Sequence, residues 1–173
     1  MRKRGADHAY NGFSRSMVAE YDARGKSIQQ VSCCCLLWHL KIHFRHDMKP
    51  ITTTSAPIPA GHYSQAIVHG DLVFVSGQLP IDAATGEKKI GSIEEQTEQT
   101  LRNVEAVLIA AGSGLGNVIK ATVYIANIEL WGQVNSVYAR VFGDHKPARA
   151  IVPTRDLHHG FLIEIEVVAS LSS

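Results

Sequence analysis

The segment Phe161-Leu162-Ile163-Glu164-Ile165-Glu166-Val167-Val168 constrains the fold more than any other stretch of the chain. Side chains on a strand alternate between its two faces. Phe161, Ile163, Ile165 and Val167 therefore share one face, and Leu162, Glu164, Glu166 and Val168 share the other. A strand with one wholly apolar face belongs in a sheet that carries a packed layer on that side. The opposite face sets two carboxylates among apolar neighbours, where a lone charge is costly to bury.

Two helices can supply the layer. Ser92 and Glu95 form a capping-box pattern, with Glu94 and Glu95 in the favourable first turn. Behind them Ile93, Thr97, Leu101, Val104 and Leu108 fall at helical spacing, and Gly112 is the natural stop. Asn127 can cap a second helix with the stripe Leu130, Val134, Val137, Tyr138 and Val141, ended by Gly143. The remaining apolar runs read as strands. Ile67-Val68 and Leu72–Val75 flank His69-Gly70-Asp71 as a hairpin, and Ser76-Gly77-Gln78 ends its second strand. Val118–Ile125 is rich in β-branched residues, and Ala148–Val152 precedes a loop through Pro153 and Gly160. The expected order is ββαβαββ: an α+β domain whose two helices cover one face of a single sheet. The other face needs a cover that the chain does not supply, and self-association about a symmetry axis is the economical one.

The chain has 173 residues and divides near Met48. Before Met48 there are eight Lys/Arg and four Asp/Glu; from Met48 onward there are nine and twelve. The body is mildly acidic, which argues against a nucleic-acid footprint. Residues 1–47 show no sustained period and are expected to be a disordered, dispensable extension, with the folded domain spanning residues 48–173. The apolar run from Val31 to Leu40 is far shorter than a membrane span, so no membrane partner is expected. Cys33, Cys34 and Cys35 are adjacent and are the whole cysteine complement, which builds no disulfide framework and suits a reducing, cytoplasmic setting. Cys35, His39, His43 and His46 fall near helical spacing, but no second ligand pair with a finger-like spacing follows, and no metal site is expected.

Candidate chemistry centres on Arg149 in Lys146-Pro147-Ala148-Arg149-Ala150 and on Glu164, fifteen residues later. A guanidinium can clamp a carboxylate with two hydrogen bonds, and a nearby carboxylate can take a proton from water. Together they suit hydrolysis of a small substrate that carries its own carboxylate. From the residues alone, a structural ion pair at a subunit interface is the slightly favoured reading, because paired buried charges are commonly structural. Glu166 shares the strand face of Glu164 and reads as a structural partner for a backbone or basic group. His158-His159 invite a metal or acid–base role, although a loop pair without a third ligand is usually solvated.

Six segments, in order, resemble the Rid (YjgF) family of reactive-intermediate deaminases. They are Gly61-His62-Tyr63-Ser64-Gln65-Ala66, Val75-Ser76-Gly77-Gln78-Leu79-Pro80, Gln99-Thr100-Leu101-Arg102-Asn103-Val104, Val134-Asn135, Pro147-Ala148-Arg149-Ala150 and Ile163-Glu164-Ile165-Glu166. The resemblance implies a chorismate-mutase-like fold and a homotrimer with clefts between neighbouring subunits. It also implies hydrolysis of 2-aminoacrylate and related enamines and imines to 2-oxo acids and ammonia. Position by position, Arg149 matches the substrate-carboxylate arginine and Glu164 the glutamate that activates water. Tyr63, Gly77 and Asn135 match cleft-lining positions, as does Ile151, where many members have a cysteine. Pro153-Thr154-Arg155-Asp156-Leu157-His158-His159-Gly160 also departs from the commonest members. No cofactor is expected, because an imine carbon is already electrophilic. The alternative is a non-catalytic trimer that senses small 2-oxo or amino acids in the same cleft. A nuclease-like or translation-inhibiting role, also linked to the family, draws little support from an acidic body without a basic–aromatic stripe.

Overall fold

The computed structural model describes residues 48–172; the extension, with its Cys35/His39/His43/His46 cluster, lies outside them. Six strands form one sheet: β1 (Lys49–Ile51), β2 (Ala66–His69), β3 (Leu72–Gln78), β4 (Val118–Ile125), β5 (Ala148–Pro153) and β6 (Ile163–Ser170). The helices are α1 (Ile93–Ala110) and α2 (Trp131–Phe142). In the sheet the strands lie in the order β1-β2-β3-β6-β4-β5, all pairs antiparallel except β4 with β5. The expected ββαβαββ order is thus corrected to βββαβαββ. The extra strand β1 is three residues long and contains Pro50, which lacks a backbone donor and suits only a sheet edge.

The alternation in β6 is realised residue by residue. Ile163, Ile165, Val167 and Ala169 are buried, while Glu164, Glu166, Val168 and Ser170 are half-buried on the other face. Both helices pack on the buried side. Ile93, Leu101, Val104 and Leu108 of α1 join Val134, Val137, Tyr138 and Phe142 of α2 in one core with Val123, Ile163 and Ile165. The Ser92–Glu95 capping box forms with both of its hydrogen bonds. Gly112 ends α1 at φ 83°, in the left-handed region that glycine enters without a Cβ penalty. Gly70 (φ 60°) and Asp71 form the two-residue hairpin loop between β2 and β3. At the second helix the expectation shifts by a turn. Asn127 Oδ1 accepts from Glu129 N at 3.0 Å and caps a 3₁₀ turn over Ile128–Leu130, which runs directly into α2.

The face opposite the helices is open. Register places Phe74, Val168 and Lys120 side by side on it, followed by Thr122 with Glu166 and Tyr124 with Glu164. Phe74 is 44% exposed and Val152 on β5 is 37% exposed, large apolar residues left in water by a single chain.

Candidate active site

Glu164 lies where β6 runs beside the end of β3. There β3 carries a bulge: Val75 pairs with Val167 and Gln78 with Ile165, so Ser76 and Gly77 together oppose Glu166. Gly77 has a steric role. A Cβ built on it would overlap the Glu164 carboxylate and lie 2.9 Å from Glu164 Cδ. The absent side chain is the space that the carboxylate occupies.

Glu164 and Gly77 line a cavity of about 440 Å³, walled also by Tyr63, Gln78, Leu79 and the loop histidines His158 and His159. Buried amides hold these walls. Gln65 Nε2 donates to the carbonyls of Thr53, Ala56 and Pro57, at 3.0, 3.2 and 2.9 Å, and its Oε1 accepts from Thr53 N at 2.7 Å. Asn103 of α1 donates to Leu79 O at 2.9 Å and Ile81 O at 2.8 Å, and Gln96 Oε1 accepts from Leu162 N at 2.9 Å. These buried amides are satisfied by loop backbone, which fixes irregular chain that no sheet ladder supports. Tyr63 is 54% exposed at the cavity mouth.

Burial pushes the Glu164 carboxyl above the ordinary carboxylate range; His158 opposes this and Glu166 adds to it. Glu166 has a neutral partner rather than a basic one. Tyr124 Oη donates to Glu166 Oε1 at 3.3 Å, and burial, with Glu166 beside it, raises the Tyr124 phenol.

Arg149 lies elsewhere in the chain. It pairs in register with Ala121 of β4, which pairs with Val167 of β6, so it points to the helix side of the sheet. Its Nη2 donates to Asn135 Oδ1 on α2 at 2.8 Å. Its guanidinium carbon stands 4.5 Å from the centre of the Tyr138 ring, which stacks on Phe142 at 4.3 Å. Burial pushes the Tyr138 phenol up to about 12, with Arg149 opposing the shift. Arg149, Asn135 and Tyr138 line a second cavity of about 350 Å³ with His145 and Lys146.

The six candidate residues therefore fall into two separate groups and one outlier. Tyr63, Gly77 and Glu164 come together, as do Asn135 and Arg149. The two groups lie on opposite faces of the sheet, with β4 between β5 and β6. Ile151 lines neither cavity; it lies beside Val123 and packs against the core. Sequence reasoning missed Gln65, Asn103 and Tyr138, although each sits in or beside a segment it singled out. Among the described residues no group of three or more His, Cys, Asp or Glu could hold a metal ion. No helix among them is long and apolar enough to cross a membrane.

Comparison with known proteins agrees on the lineage. The family model described as Endoribonuclease L-PSP matches residues 53–171. A RutC family protein of Pyrococcus horikoshii is 49% identical over 119 residues, covering 69% of this chain and 94% of the relative. The 2-iminobutanoate/2-iminopropanoate deaminase of Rattus norvegicus is 40% identical over 121 residues, covering 70% of this chain and 88% of the relative. The crystal structure of Escherichia coli TdcF with bound serine superposes with a TM-score of 0.68 at 36% identity, covering 72% of this chain and 99% of that one. With the family model spanning nearly all the described residues, and relatives of this similarity over the same stretch, the chain belongs to the Rid (YjgF) family.

Proposed function

We propose that this protein hydrolyses 2-aminoacrylate and related imines of amino acids to 2-oxo acids and ammonia, in sites completed between protomers of a homotrimer. The observation that carries the proposal is Glu164: a half-buried carboxylate on a central strand, seated over Gly77 in a cavity with room for a small acid. A carboxylate whose pKa is raised by burial is a better proton acceptor than one in water. The rat relative, named for this activity, is 40% identical to the chain.

The substrate enamine first tautomerises to an imine, whose carbon is electrophilic. Arg149 holds the substrate carboxylate. Its guanidinium has five N–H donors, and the bond to Asn135 takes one and leaves the others for a bidentate clamp. The Tyr138 ring beneath fixes the plane of the fork. Orientation of this kind removes much of the entropic barrier. Glu164 accepts a proton from the water as its oxygen adds to the carbon, and returns a proton as the amine departs.

Within one chain the clamp and the base lie on opposite faces of the sheet, so one protomer supplies the clamp and its neighbour the base. The open face, with Phe74 and Val152 in water, supports such packing. An RNA-cleaving role has less support, because the body carries nine Lys/Arg against twelve Asp/Glu.

The test generates an imine with an amino-acid oxidase and traps it with semicarbazide. Wild-type protein suppresses the semicarbazone and Arg149→Ala does not. A trimer that binds 2-oxobutanoate yet never speeds imine loss would instead be a sensor, and this proposal would fail.

A further inference from the structure

Imine hydrolysis moves protons in two directions at once. As water adds, a proton leaves oxygen and another reaches nitrogen; as the carbinolamine collapses, a proton leaves the hydroxyl and another reaches the amine. A lone carboxylate must serve all four transfers in turn. The Glu164 cavity holds a second group suited to share them.

His158, His159 and Gly160 form a short turn two residues before β6. His159 adopts φ 61° and Gly160 φ 73°. A non-glycine residue in that region is uncommon, and His159 is the only one among the described residues. His159 is anchored by its surroundings. Its Nδ1 lies 3.2 Å from Lys88 Nζ, and its ring meets Phe161 edge-on at 5.7 Å. His158, one residue earlier, lines the same cavity wall as Glu164. Its ring contacts His159 at 6.2 Å, and among the described residues no side chain hydrogen-bonds it. Charge on His158 counters the rise in the Glu164 carboxyl, so the two groups lie within electrostatic reach. Of the other titratable groups, Tyr63 also lines the cavity, Lys88 meets His159, Glu166 is two residues beyond Glu164 on β6, and Arg155 and Asp156 come earlier in the same loop.

We propose that His158 is a second acid–base group of this cavity, serving the substrate nitrogen and the carbinolamine hydroxyl while Glu164 serves the attacking water and the departing amine. This rests on the imine-deaminase reading above. In the addition step the His158 imidazolium donates a proton to the imine nitrogen as the Glu164 carboxylate takes one from water, and a C–O bond forms. In the collapse the C–N bond breaks: neutral His158 takes the hydroxyl proton, and protonated Glu164 gives its proton to the nitrogen, releasing ammonia. Imine and water are consumed, 2-oxo acid and ammonia appear, and both side chains return to their starting forms.

The experiment measures kcat against pH for the full-length wild type, His158→Gln and Arg149→Ala, with the oxidase–semicarbazide assay corrected for oxidase rate. A general acid must be protonated, so wild-type kcat is expected to fall on the alkaline side. H158Q is expected to lack this alkaline limb and to lose about tenfold in kcat with little change in KM. Added imidazole is expected to restore rate to His158→Ala and not to R149A. If H158Q keeps the wild-type rate and profile while R149A is inactive, this inference fails and the deaminase reading stands. If H158Q is slow but keeps the alkaline limb, and imidazole rescues nothing, His158 is structural and the inference fails again. Wild-type protein without deaminase activity ends both.

Discussion

Glu164 stands on a central strand and Arg149 on an edge strand, and each is supported accordingly. Around Glu164, β6 is flanked by β3 and β4, the bulge in β3 makes room for its carboxylate, and Gln65 and Asn103 pin the loops that wall the cavity. Arg149 has sheet on one side only and takes its order from α2, through Asn135 and the Tyr138 ring. The proposed base, Glu164, is positioned by backbone packing. The proposed clamp, Arg149, is positioned by two side-chain contacts, each of which a single substitution can remove. Substitutions beneath the clamp should therefore act in small steps, and those that move or remove either charged group in large ones.

Removing the clamp outright should have the largest effect. R149A is expected to lose about a thousandfold in kcat/KM through lost orientation, and Arg149→Lys should remain poor because a point charge cannot replace a planar fork. Steady-state imine hydrolysis checks both. Glu164→Gln should lose about a hundredfold in kcat while binding 2-oxobutanoate as the wild type does, as calorimetry would show. Gly77→Ala follows: its new Cβ must displace the Glu164 carboxylate, and a displacement approaching 1 Å costs up to about a hundredfold in rate. The smallest effects are expected beneath the clamp. Tyr138→Leu removes a cation–π contact of about 1 kcal/mol and should raise KM a few-fold. Tyr138→Phe keeps the ring and should leave the rate unchanged. It should also leave the melting temperature unchanged or slightly higher, because the Tyr138 hydroxyl is buried without a hydrogen-bond partner among the described residues.

Acidity separates the two groups further. Burial makes Glu164 hold its proton more tightly folded than unfolded. Its contribution to stability is therefore present at low pH and is lost as pH rises through the folded pKa. Accordingly E164Q should melt above the wild type at neutral pH, with the gap closing on acidification; a melting series from acid to neutral pH reads this directly.

Much of the scaffold was legible in the sequence because local rules governed it. The period-two pattern from Phe161 named the buried face of β6 correctly, and the Ser92–Glu95 capping box and Gly112 bracketed α1. The edge strand β1 escaped because Lys49-Pro50-Ile51 is too short to show a period and contains proline. Asn127 was read as a cap, but a cap does not distinguish a 3₁₀ turn from the α-helix behind it. The site was legible as residue types and not as placement. That Arg149 points to the helix side follows from the parallel pairing of β5 with β4, a long-range choice with no signature in Pro147-Ala148-Arg149-Ala150. Gly77 carried no local signal either, since its role is set by Glu164, a residue on another strand. His158 is the exposed loop residue that the sequence suggested, but lining the Glu164 cavity is a placement no local signal announces.

The most direct test of a site shared between protomers is complementation. Two chains, R149A and E164Q, each expected to keep about a hundredth of the activity or less, are unfolded, mixed in equal amounts and refolded together. Where Arg149 of an E164Q chain meets Glu164 of an R149A chain, the wild-type pair is restored. Random assembly gives this at about a quarter of the seams in a ring. Activity near a quarter of the refolded wild type is the expected result, with about a hundredth or less in either variant refolded alone. A mixture that exchanges subunits yet stays inactive would mean that Arg149 and Glu164 do not act on one substrate across a seam.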